Sequence, residues 1–358
     1  MSGFCWAILG TGAVSRKFAL GLSALKGKAV VGPVASRNSE NATAFCRTLD
    51  LGAPMASYED AVRAPGVDAV YIATPPAQHE EHALLALAAG KPVLIEKPLS
   101  MDAAGAGRIA AAADAAGLFA MEAMWTRFQP LMIKISDQIQ NGLIGTPRGF
   151  HGKFLSPNIV DPATSLFSQA GGGALLHRGV YPLSLARWFL GPVTDVVARA
   201  RIGDSGVDED ITVLLTHKSG AISDIRASLR AGDSNACTLW GDRARIEIAG
   251  PVWRPTQARL FQTPPQLVTT PTPRRFEAFR ESRAGQTIAT LRGKLRGGAR
   301  STQTLSAPFL GNGYAHEADH LMQAVAAGQT LSDVMPLSQS VEVLEIVDTA
   351  LRQIGRTP

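Results

Sequence analysis

Lys97 closes an apolar run. In VLIEKPLS, Val93–Ser100, the residues Val93, Leu94 and Ile95 read as a short buried strand, Glu96 and Lys97 follow at once, and Pro98 stops it. A surface lysine needs no such setting. An ammonium aimed into a cleft at the carboxyl end of a parallel strand does. There it can donate to a hydroxyl or carbonyl oxygen, or stabilise the deprotonated form of a neighbouring group. A second chemical feature is GTGAVS, Gly10–Ser15, after the first apolar run. Gly10 permits a tight turn and Gly12 lets backbone amides approach a pyrophosphate. Thr11, Ala13 and Val14 complete the loop and the start of the helix, whose N-terminus favours negative charge. Ser15 stands at the third position of the G-x-G-x-x-G pattern, small but not glycine.

The next apolar run, Ala29–Arg37, chooses between dinucleotides. An acid at its end would take the ribose 2′-hydroxyl of NAD. This run ends in Ser36 and Arg37, with no acid. A guanidinium suits a 2′-phosphate, so NADP is expected before NAD, with Ser36 as a second phosphate donor.

Two other patterns compete. HEADH, His316–His320, satisfies H-E-x-x-H, which on a helix would set two imidazoles on one face with Glu317 as base of a zinc hydrolase. No convincing third ligand follows, so no metal is expected. The basic stretch Pro273–Ser301 invites a nucleic-acid reading through phosphate contacts, but lacks aromatics interleaved for base stacking. It is expected to be a solvated insertion, with no nucleic-acid partner.

These residues must be positioned by a chain of 358 residues, 46% hydrophobic and 18% charged, with a net charge of +5. Two domains are expected on a prior of roughly 100–200 residues each. Cys5, Cys46 and Cys237 are scattered and form no C-x-x-C pair, which points to a reducing cytoplasm. The opening MSGFCWAILG has no basic stretch before its apolar run, so no leader is expected. No run reaches the roughly 18 apolar residues a membrane span needs.

Up to Met121 the pattern alternates. Strands are expected at Cys5–Leu9, Ala29–Arg37, Val67–Pro76, Val93–Ile95 and Leu118–Met121. Helices are expected at Val14–Leu25, after a cap at Asn38 or Ser39, at Gln78–Ala89 and at Asp102–Ala116. Near-continuous apolar strands between helices imply a doubly wound parallel sheet of the Rossmann type, with ligands bound beyond the strand carboxyl ends. From Pro147 onward the runs PRGFHGKF, VTDVVARARIG, DITVLLTHKSGAISDIRASL and ACTLWGDRARIEIAG read as β-strands, with a turn at His217–Ala221.

The segments ATPP through His79, EKP (Glu96–Pro98), GGGALLHRGVYPLSLA (Gly171–Ala186) and GYAHEADHLMQAVAAGQ (Gly313–Gln329) resemble the glucose–fructose oxidoreductase, inositol dehydrogenase and MocA family. MEAMWTRFQP, Met121–Pro130, is similar to its branch of dimeric dihydrodiol dehydrogenases. The resemblance implies a Rossmann domain over residues 1–122. A second α+β domain over 123–358 would carry a large, mostly antiparallel sheet, and a helix near 314–328 would return to the first domain. It implies a dehydrogenase acting on a sugar, cyclitol or cyclic diol, and a homodimer or higher oligomer formed through the open sheet face.

The resemblance also assigns Lys97 to the active site with Glu96 to orient it, puts Thr74, Pro75 and His79 along the cofactor cleft, and sets Trp125 and Arg127 on its nicotinamide side. It gives Tyr181 the proton transfer, with Lys97 expected to lower its pKa. Many relatives carry aspartate where this chain has His177, four residues before Tyr181 and on the same helical face. That departure leaves His177 a candidate catalytic group. It also keeps open a non-catalytic, dinucleotide-binding regulator of the same fold.

Overall fold

Short apolar runs build the first sheet because both of its faces are covered. In the computed structural model, which describes residues 3–263, 277–296 and 302–357, the strands are Phe4–Leu9 (β1), Ala29–Ala35 (β2), Ala53–Pro54 (β3), Ala69–Ile72 (β4), Val93–Glu96 (β5) and Ala120–Ala123 (β6). They pair in parallel in the order β3-β2-β1-β4-β5-β6. The reversal beside β1 is the switch point at which such sheets bind ligands. Helices Ala13–Leu22 (α1), Ser39–Leu49 (α2), Tyr58–Arg63 (α3), His79–Ala88 (α4) and Ala103–Ala116 (α5) connect them. Every residue of β4, β5 and β6 is buried.

Local chemistry sets the boundaries. Asn38 Oδ1 accepts from the Glu40 amide at 2.8 Å and caps α2. Asp102 Oδ1 accepts from the Gly105 amide at 2.7 Å and caps α5. Gly117 ends α5 at φ +63° and the Leu118 amide still bonds back to Ala113. That closing turn delays β6, expected over Leu118–Met121, to Ala120–Ala123. The helix expected to reach Leu25 tightens into a 3₁₀ turn over Ser23–Leu25.

Beyond Pro130–Gln140 (α6), the second sheet holds Pro147–Leu155 (β7), Val193–Ile202 (β8), Asp208–His217 (β9), Ile222–Ser228 (β10), Cys237–Gly241 (β11), Ala244–Ile248 (β12), Gln257–Gln262 (β13) and Thr302–Ser306 (β14). Its order is β14-β13-β12-β11-β7-β10-β9-β8. Only β7 and β10 run parallel; the other neighbours are antiparallel. Before β8, a π-helical turn over Leu175–Gly179 leads into Val180–Leu190 (α7), which packs on β7. The expected turn at His217–Ala221 joins β9 to β10, with Gly220 at φ +81°.

Of the basic stretch, Glu277–Glu281 (α8) and Arg283–Arg296 (α9) are helical; residues 273–276 and 297–301 lie outside the described residues. Ala315–Ala326 (α10) rests on α1, where Asn312 Nδ2 donates to the Lys17 carbonyl at 2.7 Å. Leu337–Gln353 (α11) spans α5, α7 and β8. Its Asp348 accepts from the Ala103 amide at 3.0 Å, at the start of α5. No described helix is long and apolar enough to cross a membrane.

Candidate functional site

A groove of about 410 Å³ opens at the carboxyl ends of β1, β2 and β4. Gly10 has φ +102°, and a Cβ there would stand 2.5 Å from the Ala73 carbonyl oxygen. Only glycine fits this turn. Gly12 caps α1 with φ −74°, and nothing lies within 4 Å of where its Cβ would be. Nothing inside the protein therefore demands glycine at position 12; the close approach of a pyrophosphate to the helix N-terminus would. Thr11 Oγ1 donates to Ser36 Oγ at 3.4 Å, and exposed Arg37 lines the same groove with Thr74 and Pro75. Ala13 and Val14 form the first turn of α1 beneath it. Thr74 is held by His82 Nδ1 at 2.9 Å, and His82 packs on Tyr58, whose ring also lines the groove. These residues fit a dinucleotide: backbone amides for the pyrophosphate, and a hydroxyl and a guanidinium for the adenosine end.

Lys97 stands at the end of β5, two strands from β1. Its Nζ lies 5.1 Å from the centre of the Tyr181 ring and donates to the His177 carbonyl at 3.4 Å. Trp125 Nε1 donates to the Tyr181 hydroxyl oxygen at 3.3 Å. An indole can only donate, so the phenol keeps its own proton for another acceptor. Trp125 is fixed in turn by stacking on Tyr314 at 4.6 Å. Parts of β5, the segment after β6, α7 and the start of α10 thus meet around one lysine.

Beneath them lies a layer of buried acids. Tyr71 donates to Glu96 Oε1 at 2.6 Å, and the Lys97 amide donates to Glu96 Oε2 at 3.1 Å. Phe18 of α1 stacks on Tyr71 at 3.7 Å and holds that phenol in place. The Leu99 amide donates to Glu122 at 3.1 Å. Burial raises the pKa of both Glu96 and Glu122, while Lys97 opposes the shift. Glu317 is fully buried, and neither carboxyl oxygen has a hydrogen-bond partner. Burial, then the charge of Glu96, pushes its pKa well above the carboxylate range. Tyr71, Tyr314 and Glu317 were not singled out from the sequence for this site. Their only signal is that Glu317 lies on the apolar face of an amphipathic helix.

Several expected roles change. Lys97 does not lower the pKa of Tyr181. Burial, followed by the charge of Glu96, raises it, and the Trp125 hydrogen bond and the charge of Arg178 only partly oppose this. Burial lowers the pKa of Lys97 itself, and Glu96 opposes this. The His177 ring turns away to the Gly171 carbonyl at 3.1 Å. Burial, then Lys97, holds its pKa down to about 4, so it is neutral and anchors the loop before α7.

Arg127 does not line the cofactor groove. It is fully buried and donates to Ser184 Oγ at 2.9 Å, Val334 O at 3.1 Å and Gln339 Oε1 at 2.6 Å. Burial lowers its pKa to about 9. His79 is not free for a cofactor either. Its ring nitrogens face the Pro98 carbonyl at 2.8 Å and the Thr74 carbonyl at 2.9 Å. Burial lowers its pKa to about 4, so the single N–H of the neutral ring donates to one of them and ties the ends of β4 and β5 from inside the protein. The zinc reading also fails on geometry. His316 Nε2 accepts from the Leu310 amide at 2.8 Å, and His320 Nε2 bonds Ser332 Oγ at 2.8 Å. The two imidazoles are committed to different backbone and side-chain partners while Glu317 is sealed in the interior.

Residues 4–124 match the family described as "Oxidoreductase family, NAD-binding Rossmann fold", and residues 132–247 match the "GFO/IDH/MocA C-terminal domain". The trans-1,2-dihydrobenzene-1,2-diol dehydrogenase of Bos taurus is 29% identical, over 98% of this chain and 97% of that protein. The Sus scrofa protein of the same name is 32% identical, over 70% of this chain and 76% of that one. Among solved structures, KijD10, a 3-ketoreductase from Actinomadura kijaniata in complex with TDP-benzene and NADP, is 25% identical with a TM-score of 0.74, covering 98% of this chain and 97% of its own. A levoglucosan dehydrogenase in complex with NADH and levoglucosan shares the fold at a TM-score of 0.81 and 19% identity, covering 99% and 97% of the two chains.

Proposed function

The chain belongs to the GFO/IDH/MocA oxidoreductase family, and from that premise we propose an NADP-dependent dehydrogenase that interconverts a hydroxyl and a carbonyl on a sugar, cyclitol or cyclic diol. The observation that carries the reading is the Lys97–Tyr181–Trp125 cluster next to the glycine-turn groove. NADP is favoured over NAD by Arg37 and Ser36, with no acid at the end of β2.

The nicotinamide, when bound, supplies or accepts the hydride. Tyr181 handles the proton. In reduction its hydroxyl gives a proton to the substrate oxygen, and Trp125 N–H stabilises the phenolate left behind. In oxidation the phenolate takes the proton back. The raised pKa of Tyr181 keeps the phenol protonated at neutral pH, which favours reduction until other charges enter the site. Lys97 donates to the same substrate oxygen and fixes its distance from Tyr181. Glu96, held by Tyr71 and the Lys97 amide, sets the direction of the lysine.

Oligomerisation through the second sheet belongs to the same proposal. α7 and α11 pack against this sheet, while Val197, Leu214, Ile222 and Trp240 remain exposed. Val197 pairs with Leu214, and Ile222 with Gly149 beside Trp240, so these side chains share one face. Light scattering tests this directly.

The test of the function is turnover. A panel of sugars, cyclitols and cyclic diols is offered with NADP, and the matching carbonyls with NADPH, while nicotinamide absorbance is followed. Binding of NADP without turnover of any member would support the regulator instead.

A further inference from the structure

Arg178 has no part in the reaction just described, yet it stands beside it. It follows His177 in the π-helical turn. Its guanidinium carbon lies 4.7 Å from the centre of the Phe154 ring. Phe154 lies 5.3 Å from the Tyr181 ring, which Lys97 approaches from 5.1 Å. Two half-buried cations therefore each stand over one of two adjoining rings, Lys97 over Tyr181 and Arg178 over Phe154.

Neither cation is neutralised by a salt bridge. Among the described residues, no carboxylate lies within 4.0 Å of either. Arg178 donates to Asn158 Oδ1 at 3.1 Å, a neutral partner, and Lys97 to a carbonyl. Glu96 and Glu122 reach Lys97 only through the field, and their oxygens already accept from Tyr71, the Lys97 amide and the Leu99 amide. His177, between the two cations in the chain, presents no acid. Two half-buried like charges repel each other, and a neutral polyol offers nothing to offset that. An oxyanion does, because a guanidinium fork with free N–H groups binds it through charge-assisted bonds.

We propose that the substrate carries an anionic group, a carboxylate or a phosphate, held by Arg178 with Lys97 beside the carbon that reacts. This rests on the dehydrogenase reading and narrows its substrate class to acidic sugars or cyclitols. Arg178 is then a specificity residue.

The experiment uses matched probes: glucuronate, galacturonate and glucose 6-phosphate against glucose and galactose, in the presence of NADP. Binding is read from tryptophan fluorescence, since Trp253 stacks on Phe154 at 4.2 Å and Trp125 bonds Tyr181. Turnover is read separately. At least one anionic probe is expected to bind at least tenfold more tightly than its neutral counterpart. Whether the uronates or the phosphate show this tells which group the site takes. Arg178→Met keeps the contact with Phe154 and should remove that preference while leaving NADP affinity unchanged; Arg178→Lys should retain part of it. Equal binding of neutral and anionic probes, no binding of any anionic probe, or a preference that survives Arg178→Met overturns the proposal. Anion-selective binding without hydride transfer to any probe would leave the anion site standing and count against the dehydrogenase reading.

Discussion

The glycine-turn groove and the Lys97 cluster sit on neighbouring strand ends of one sheet, yet they work by opposite means. The groove is open and built mostly from backbone: the Gly10 turn, the bare Gly12 and the N-terminus of α1. Its one cation, Arg37, is exposed. The cluster is built from side chains packed away from water, where burial raises the pKa of Glu96, Glu122, Glu317 and Tyr181 and lowers that of Lys97. A site that binds a charged cofactor can remain wet. A site that moves a proton gains from low dielectric, because each charge there acts more strongly.

Removing the chemical groups should separate the two regions most sharply. Lys97→Ala and Tyr181→Phe should each lower turnover by about 10²–10⁴-fold while NADP affinity, measured by titration, stays near wild type. Their double mutant should lose less than the product of the single losses, because the two groups act as a unit. Near-normal turnover by Tyr181→Phe would remove it from the mechanism.

Arg127 tests whether a buried cation near the cluster belongs to the chemistry or to the packing. Arg127→Met leaves the acceptors on Ser184, Val334 and Gln339 without their donor, and should cost about 1–3 kcal/mol of stability, read by urea denaturation. NADP affinity of the folded fraction should not change.

The groove side is tested at Arg37. Arg37→Asp removes a charge-assisted contact of about 1.5–3 kcal/mol and adds repulsion. NADP affinity should fall by at least about tenfold, by the same arithmetic, and NAD should become the relatively better cofactor. Unchanged preference in parallel titrations would mean that Arg37 does not read the 2′-phosphate.

The smallest effect concerns Glu317. Burial, then the charge of Glu96, raises its folded pKa well above the ordinary carboxylate value of about 4.3. Above that pH the unfolded chain releases the proton while the folded protein keeps it, so this residue destabilises the fold increasingly as pH rises. Glu317→Gln mimics the protonated acid without that penalty. Its melting temperature should exceed that of the wild type by about 2 °C at pH 8, and the gap should close toward pH 4.5. A gap that widens as the pH falls would show that Glu317 is charged in the folded protein.

How much of this could be read in advance follows the same division. The groove was legible because its signals are local: a strand, two glycines at fixed spacing, and a helix start within six residues of one another. Lys97 was legible through its place between an apolar run and Pro98. Arg127 was misread because its partners, Ser184, Val334 and Gln339, lie far along the chain, and no local pattern announces them. His79 was misread for the same reason: Pro98 occupies one of its nitrogens across two strands. Glu317 first stood out as part of a zinc pattern, because its spacing from His316 and His320 is local, whereas the burial that defines it comes from α10 meeting α1.

The sequence by itself determined the alternation of parallel strands and helices, with the short β3 unannounced and β6 shifted by two residues, where the glycine turn lies, and that Lys97 closes an apolar run; Tyr181 came from the family resemblance. Those properties depend on periodicity, backbone freedom and side-chain identity over a few neighbouring residues. Only the tertiary structure decided which titratable groups are neutral, which cations lack an acid partner, and whether a side chain faces the site or the packing behind it. Each of those depends on desolvation and on partners brought together from distant parts of the chain, and a sequence read a window at a time contains neither.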